Sequence, residues 1–144
     1  MANILVSACL LGICCRYKGD GKKCERVLEL GKEHTLIPVC PEQLGGLPTP
    51  RDPAEQQGEK VISRAGRDVT EQYQRGAEAA LMIAKLNRVS LAILKSRSPS
   101  CGSGMVYDGS FEGRLIPGDG ICARLLKQNG IRVMSEEEIE AATK

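Results

Sequence analysis

The sequence predicts an α/β protein, a single-domain three-layer α/β/α sandwich over residues 1–144 with a mainly parallel, Rossmann-like sheet. Three observations predict it. Short apolar runs alternate with helical stretches, the order that a parallel sheet covered on both faces requires. The 144 residues, 42% of them hydrophobic, suit one core of common domain size. Three apolar runs lead into a cysteine beside Gly, Pro or Ser, at Cys9, Cys40 and Cys101. If those runs are parallel strands, their carboxyl ends open onto one shared crevice.

Each element follows from its local sequence. Residues 3–8 read as a first buried strand, 25–32 as a short helix and 35–39 as a second strand with little charge. Residues 45–53, Gly-Gly-Leu-Pro-Thr-Pro-Arg-Asp-Pro, form a stiff loop, because prolines lack ladder donors and glycines favour special backbone angles. Residues 60–63 and 67–69 pair as a small hairpin around Ala65-Gly66. The strongest helix spans 69–86, with Asp68 and Glu71 spaced as a capping box and Tyr73, Ala77, Ala80, Leu81 and Ala84 as its core stripe. A third strand, 90–95, opens into the polar loop 96–104. A helix over 121–129 ends at Gly130, a fourth strand covers 131–134, and Ser135 with Glu138 starts a last helix.

Composition narrows the function. The net charge of +2, from 20 basic and 18 acidic residues, leaves no strong electrostatic footprint, and Phe111 and three tyrosines offer few rings to stack on bases. Nucleic acid is therefore not an expected partner. The apolar stretch at residues 1–12 lacks a basic leader and is too short for a span, so neither a signal peptide nor a membrane partner is expected. Seven cysteines without such a signal point to a reducing, cytoplasmic compartment, where thiols stay available for metal or catalysis.

Cys9, Cys40 and Cys101 stand at strand-to-loop transitions, where side chains face a crevice, and three thiolates with no fourth make an open metal or iron-sulfur site. Cys122, inside Ile-Cys-Ala-Arg-Leu-Leu, reads instead as a small core residue. Cys14, Cys15 and Cys24 form a competing group whose spacing does not match a zinc finger. Other schemes fit poorly. Cys9 reaches Arg16 one residue too late for a thiol phosphatase loop, and His34 is a lone histidine in a charged stretch. Gly118-Asp-Gly120 is a helix start rather than a phosphate loop.

Three segments together resemble a known family. Val6-Ser-Ala-Cys9-Leu-Leu-Gly12 with Cys15-Arg-Tyr17, Pro38-Val-Cys40-Pro-Glu42 through Arg51, and Lys95-Ser-Arg-Ser-Pro-Ser-Cys101-Gly102 look like the small bacterial and archaeal proteins that include 2-thiouracil desulfurase (desulfidase). The resemblance covers nearly the whole chain. Lys18 departs from the acidic residue expected before Gly19 and changes the local charge.

The resemblance implies a 4Fe-4S cluster with three cysteine ligands, matched by Cys9, Cys40 and Cys101, and one open iron. It implies hydrolytic, non-redox desulfuration of a small thiolated pyrimidine, with release of hydrogen sulfide. Glu42 would then be the base for water, and Ser98, with Ser100 as substitute, would assist the departing sulfur. Two readings from other classes stay open: a sulfur or metal carrier using the same cysteines, and a small-molecule or nucleotide-binding module whose Ser96–Gly104 loop cradles an anion.

Overall fold

The computed structural model describes residues 2–142. Its centre is a four-stranded parallel sheet of β1 (Asn3–Ser7), β2 (Thr35–Val39), β5 (Leu91–Leu94) and β8 (Arg132–Ser135), in the order β2-β1-β5-β8. Both faces are buried, so the strand sequences run apolar rather than alternating with polar residues. Leu5, Ala92 and Leu94 pack with Ala77, Ala80, Ala84 and Leu126 of the helices α3 (Thr70–Leu86) and α4 (Ile121–Gln128). Ile4, Val6 and Ile93 point the other way, toward Val27 of α1 (Glu25–Leu30) and Ile139 of α5 (Glu136–Ala142). This is the three-layer α/β/α arrangement expected from the sequence. Pro38 sits on the edge strand, where a missing amide donor leaves no gap between two neighbours.

Strand order fixes where a ligand goes. The chain leaves β1 for β2 on one side and later returns to β5 on the other, so the switch point lies at the carboxyl ends of β1 and β5. Open α/β sheets bind ligands in the crevice at that position. A 3-10 turn (Ala8–Leu11) follows β1, and a one-turn helix, α2 (Pro41–Leu44), follows β2 with Cys40 at its N-cap. Helix α2 lies against α3, and glycines make the approach possible: a Cβ on Gly76 would stand 1.8 Å from the Pro41 carbonyl oxygen, and one on Gly45 1.9 Å from that of Gln72. The small stripe of α3 thus seats the turn that carries Cys40 and Glu42.

Several local expectations are corrected. β4 (Lys60–Ser63) pairs in a full antiparallel ladder with β3 (Ala54–Gln57), through a turn with Gly58 at φ 64. The expected partner, 67–69, does fold back on β4 around Ala65-Gly66, with the Ser63 amide donating to the Arg67 carbonyl and the Val69 amide to the Val61 carbonyl, each at 2.9 Å, beside an Ile62–Asp68 bridge, but the full ladder of β4 is with β3. The Asp68/Glu71 capping box does not form: Asp68 accepts the Thr70 amide in a local turn, while Glu71 pairs with Arg75. A box does form at Ser135 and Glu138, each side chain accepting the other's backbone amide. Asn129 caps α4 and Gly130 follows at φ 79, where glycine is favoured. A second hairpin, β6 (Met105–Tyr107) with β7 (Leu115–Pro117), was not legible in three-residue strands of ordinary composition.

Candidate active site at the strand ends

The expected crevice exists. A cavity of about 770 Å³ opens over the carboxyl ends of β1, β2 and β5 and is lined by Cys9, Cys40 and Cys101 together with Glu42 and Ser98. Cys9 enters from the 3-10 turn after β1, Cys40 from the N-cap of α2, and Cys101 from the turn after β5. All seven cysteines are free thiols, and Cys122 lies in the core on the buried face of α4, as its sequence context indicated. The cavity gains a fourth thiol. Cys15, 2% exposed, lies against the sulfurs of Cys9 and Cys40, and its carbonyl oxygen accepts the Cys40 thiol at 3.7 Å. Cys14 is exposed, and Cys24 contacts Glu140 on the α5 side, so neither joins the site.

Around the thiols stands an ordered polar frame. Glu42 accepts from Arg51 through both Nε, at 2.9 Å, and Nη2. The other donors of Arg51 reach the Cys15 carbonyl at 3.0 Å, the Pro48 carbonyl at 3.1 Å and the Thr49 hydroxyl at 3.0 Å. Both Arg51 donors to Glu42 meet the same oxygen, Oε2, so the guanidinium anchors that oxygen by charge-assisted bonds. The Tyr73 hydroxyl, from the stripe expected to be pure core, lies beside Glu42, and burial with that carboxylate near it pushes the phenol well above its usual range. Ser98 Oγ accepts the amides of Ser100 and Cys101 at 3.1 Å each, which folds the turn that delivers Cys101. Its own proton stays free to point into the cavity. Ser100 Oγ is fully buried without a hydrogen-bond partner among the described residues, and Ser100 does not line the cavity. Lys95, with Arg16, Lys18, Lys22, Arg64 and Arg97, makes the lining basic despite the near-neutral chain.

Burial and mutual contact favour the protonated form of the Cys15, Cys40 and Cys101 thiols. Contact with Cys15 first, then burial, raises the Cys40 thiol well above its ordinary value. At Cys15 the Cys40 contact lowers the value, while Cys9 and burial raise it further, to about 11. Burial and then Cys122 raise Cys101, against a hydrogen bond from Ser7. Neutral thiols crowd together without repulsion, and metal binding expels their protons. An all-sulfur donor set selects soft metals and iron-sulfur clusters over oxygen-loving ions. Among the described residues no three Cys, His, Asp or Glu side chains lie close enough to hold one metal ion. A cube of irons and sulfides is larger than one ion, and the cavity has volume for it, so these residues fit a cluster.

The comparisons decide the family. The sequence model described as 2-thiouracil desulfurase matches residues 4–138. The chain belongs to the 2-thiouracil desulfurase family. It is 47% identical over 146 positions to YbbK of Bacillus subtilis (strain 168), a protein described as uncharacterized, covering 94% of this chain and 97% of the relative. It is also similar to the solved structure of TudS, described as a [4Fe-4S]-dependent thiouracil desulfidase, with 46% identity, a TM-score of 0.91, and coverage of 99% of this chain and 98% of that one. The three strand-end thiols, Glu42 and Ser98, the candidates of the sequence, line one cavity, and Cys15, Arg51 and Tyr73, which the sequence did not bring there, line it too. Arg51 ended a proline-rich loop and Tyr73 sat in an apolar stripe; only their contacts mark them.

Proposed function

We propose that this protein is a hydrolytic desulfurase that converts a small thiolated pyrimidine, thiouracil-like, into the oxo-base with release of hydrogen sulfide. The observation that carries the reading is the meeting of Cys9, Cys40 and Cys101 with a fixed carboxylate in one cavity at the switch point of the sheet. Family membership and the likeness to TudS support a 4Fe-4S cluster, with those three thiols as its ligands. When bound, a cluster with three protein ligands supplies an open iron, a soft Lewis acid for a thiocarbonyl sulfur.

The protein's own groups do the rest. Cys9, Cys40 and Cys101, as thiolates, would hold the cluster in the cavity. Glu42, anchored by Arg51 and flanked by Tyr73, accepts a proton from the water that attacks the thiocarbonyl carbon. Ser98 has one free hydroxyl proton and donates it as a hydrogen bond toward the departing sulfur. The balance is one water consumed, a carbon–sulfur double bond replaced by carbon–oxygen, and one hydrogen sulfide released; no electrons are exchanged. A sulfur carrier or simple binding module has no need of a carboxylate locked beside the thiols. Among the described residues no helix is long and apolar enough to cross a membrane, and seven free thiols suit a reducing cytoplasm.

The test is turnover by anaerobically reconstituted protein with 2-thiouracil and no reductant. Uracil and sulfide should appear in equal amounts. Iron-loaded protein that releases no sulfide, or does so only when electrons are supplied, would overturn the reading.

A further inference from the structure

The chain has three tyrosines, one phenylalanine and no tryptophan, and all four rings, Tyr17, Tyr73, Tyr107 and Phe111, line the cavity at the strand ends. The whole aromatic content of the protein is gathered at one site. Three of the rings are committed to other contacts. Tyr73 is 3% exposed and lies beside Glu42, Tyr17 has the cations of Arg16 and Lys18 at 5.9 and 5.8 Å from its ring centre, and Tyr107 is held in the β6 ladder. Phe111 is different. It is half-buried, joins the core on neither face of the sheet, and stands at the tip of the β6–β7 hairpin, residues 108–114, with φ 59, a left-handed conformation that bulky residues rarely adopt. Such backbone strain persists only where the surroundings fix it. The Glu55 carboxylate, 9% exposed, does so through one oxygen, which accepts the amides of Gly109 at 3.0 Å and Phe111 at 3.1 Å. Gln57 donates its side-chain amide to the Gly109 carbonyl at 3.0 Å, so β3 clamps the tip from two positions. Arg64, just after β4, sets its guanidinium over the Phe111 ring, 5.6 Å from the ring centre.

We propose that Phe111 is the stacking platform of the cavity: the ring face opposite Arg64 receives the flat ring of the pyrimidine and selects a planar, aromatic heterocycle over a saturated one of the same outline, with Glu55 as its positioning residue. The inference deepens the thiolated-pyrimidine reading given above and rests on it. A pyrimidine offers a protein a polar edge and a π face. Hydrogen bonds to the edge form equally well with a saturated ring; a face-to-face contact singles out the aromatic one, and aromatic side chains supply it for every base. Among the described residues no cation pairs with Glu55, so its buried carboxylate has the two tip amides as its partners. A buried carboxylate used in this way, beneath a strained backbone, holds one ring in one place.

Uracil and 5,6-dihydrouracil test the proposal by binding alone. The two share their N–H and carbonyl groups, but saturation of one carbon–carbon bond puckers the second and removes its π face. Both are dialysed to equilibrium against anaerobically reconstituted wild type, Phe111→Leu, Phe111→Tyr and Glu55→Gln, with iron content read for each. Stacking on one aromatic side chain is worth about tenfold in affinity, so wild type and Phe111→Tyr should bind uracil about tenfold more tightly than dihydrouracil. Phe111→Leu should bind the two alike, and Glu55→Gln should fall between. A role in folding alone would weaken both ligands together and leave their ratio unchanged; that result in Phe111→Leu would overturn the proposal. Equal binding of the two rings by the wild type would overturn it too, whatever the variants do. A wild type that gives either result and still releases sulfide from 2-thiouracil leaves the desulfurase reading standing, whereas one that releases none defeats that reading and this one with it.

Discussion

Adding a single methyl group outside the cavity lining, by Gly76→Ala, should disable the site. Gly76 lies in the middle of α3, and its Cβ would stand 1.8 Å from the Pro41 carbonyl oxygen, whereas ordinary contact begins at 3.4 Å. Close-packed interiors do not absorb such an overlap, so α2 must retreat by about 1.6 Å, taking Cys40 and Glu42 with it. Displacement of about 1 Å at a reacting group costs about 10²-fold in rate, and overpacking costs about 1 to 3 kcal/mol of stability. Helix propensity acts in the opposite direction: alanine in a helix interior is favoured over glycine by about 1 kcal/mol. The sign of the stability change therefore identifies the winner. Chemical denaturation of the metal-free protein, read beside sulfide release by the reconstituted one, should show a destabilised variant with at least about a 10²-fold lower kcat/KM. A variant of raised stability and unchanged activity would refute the claim that α3 sets the position of Cys40 and Glu42.

Three further outcomes follow from the same geometry. Glu42→Gln should keep full iron content and lower the rate of sulfide release by about 10² to 10⁴, the usual contribution of a placed general base; a rate equal to wild type would remove Glu42 from the chemistry. Arg51→Met leaves the Glu42 carboxylate buried without its partner, since the two side chains are only 6% and 15% exposed, and should cost about 3 kcal/mol in a denaturant titration. Arg51→Lys should recover only part of that, because an ammonium lacks the fork. Burial pushes the Cys122 thiol up to about 12 from the ordinary 9.0, so the fold favours its protonated form. That contribution is intact below pH 9.0 and is lost as pH rises through 9.0 toward 12. Cys122→Ala should accordingly show a shallower loss of stability than wild type over that interval, measured on metal-free protein.

The sheet and its strand ends were legible because both signals are local. Buried parallel strands such as Ile4-Leu5-Val6 and Leu91-Ala-Ile-Leu94 read as apolar runs, and a cysteine just beyond each run inherits the crevice from topology alone. What was not legible depended on contacts between distant segments. Tyr73 carries the same helical spacing as Ala77 and Ala80, and its hydroxyl becomes a site group only because α2 packs across α3. Cys15 stands next to the exposed Cys14, and nothing in the pair says which thiol turns inward; the Arg51 bond to the Cys15 carbonyl does that, across 36 positions of sequence. Strand β4 takes part in two pairings, a full ladder with β3 across Gly58 at φ 64 and a shorter one with 67–69 across Gly66 at φ 86, and only the second was legible, because 54–57 carries no apolar run to mark it as a strand.

The most direct test of the central claim is an iron and acid-labile sulfide count on protein purified anaerobically, for the wild type and for Cys101→Ser. Cys101 is the decisive thiol, because Cys9 and Cys40 touch Cys15 while Cys101 comes to the same cavity from the far side of β1. If the three strand-end thiols hold a 4Fe-4S cluster, the wild type will carry about four irons and four sulfides per chain and Cys101→Ser close to none. A full complement of iron and sulfide in Cys101→Ser would contradict the account.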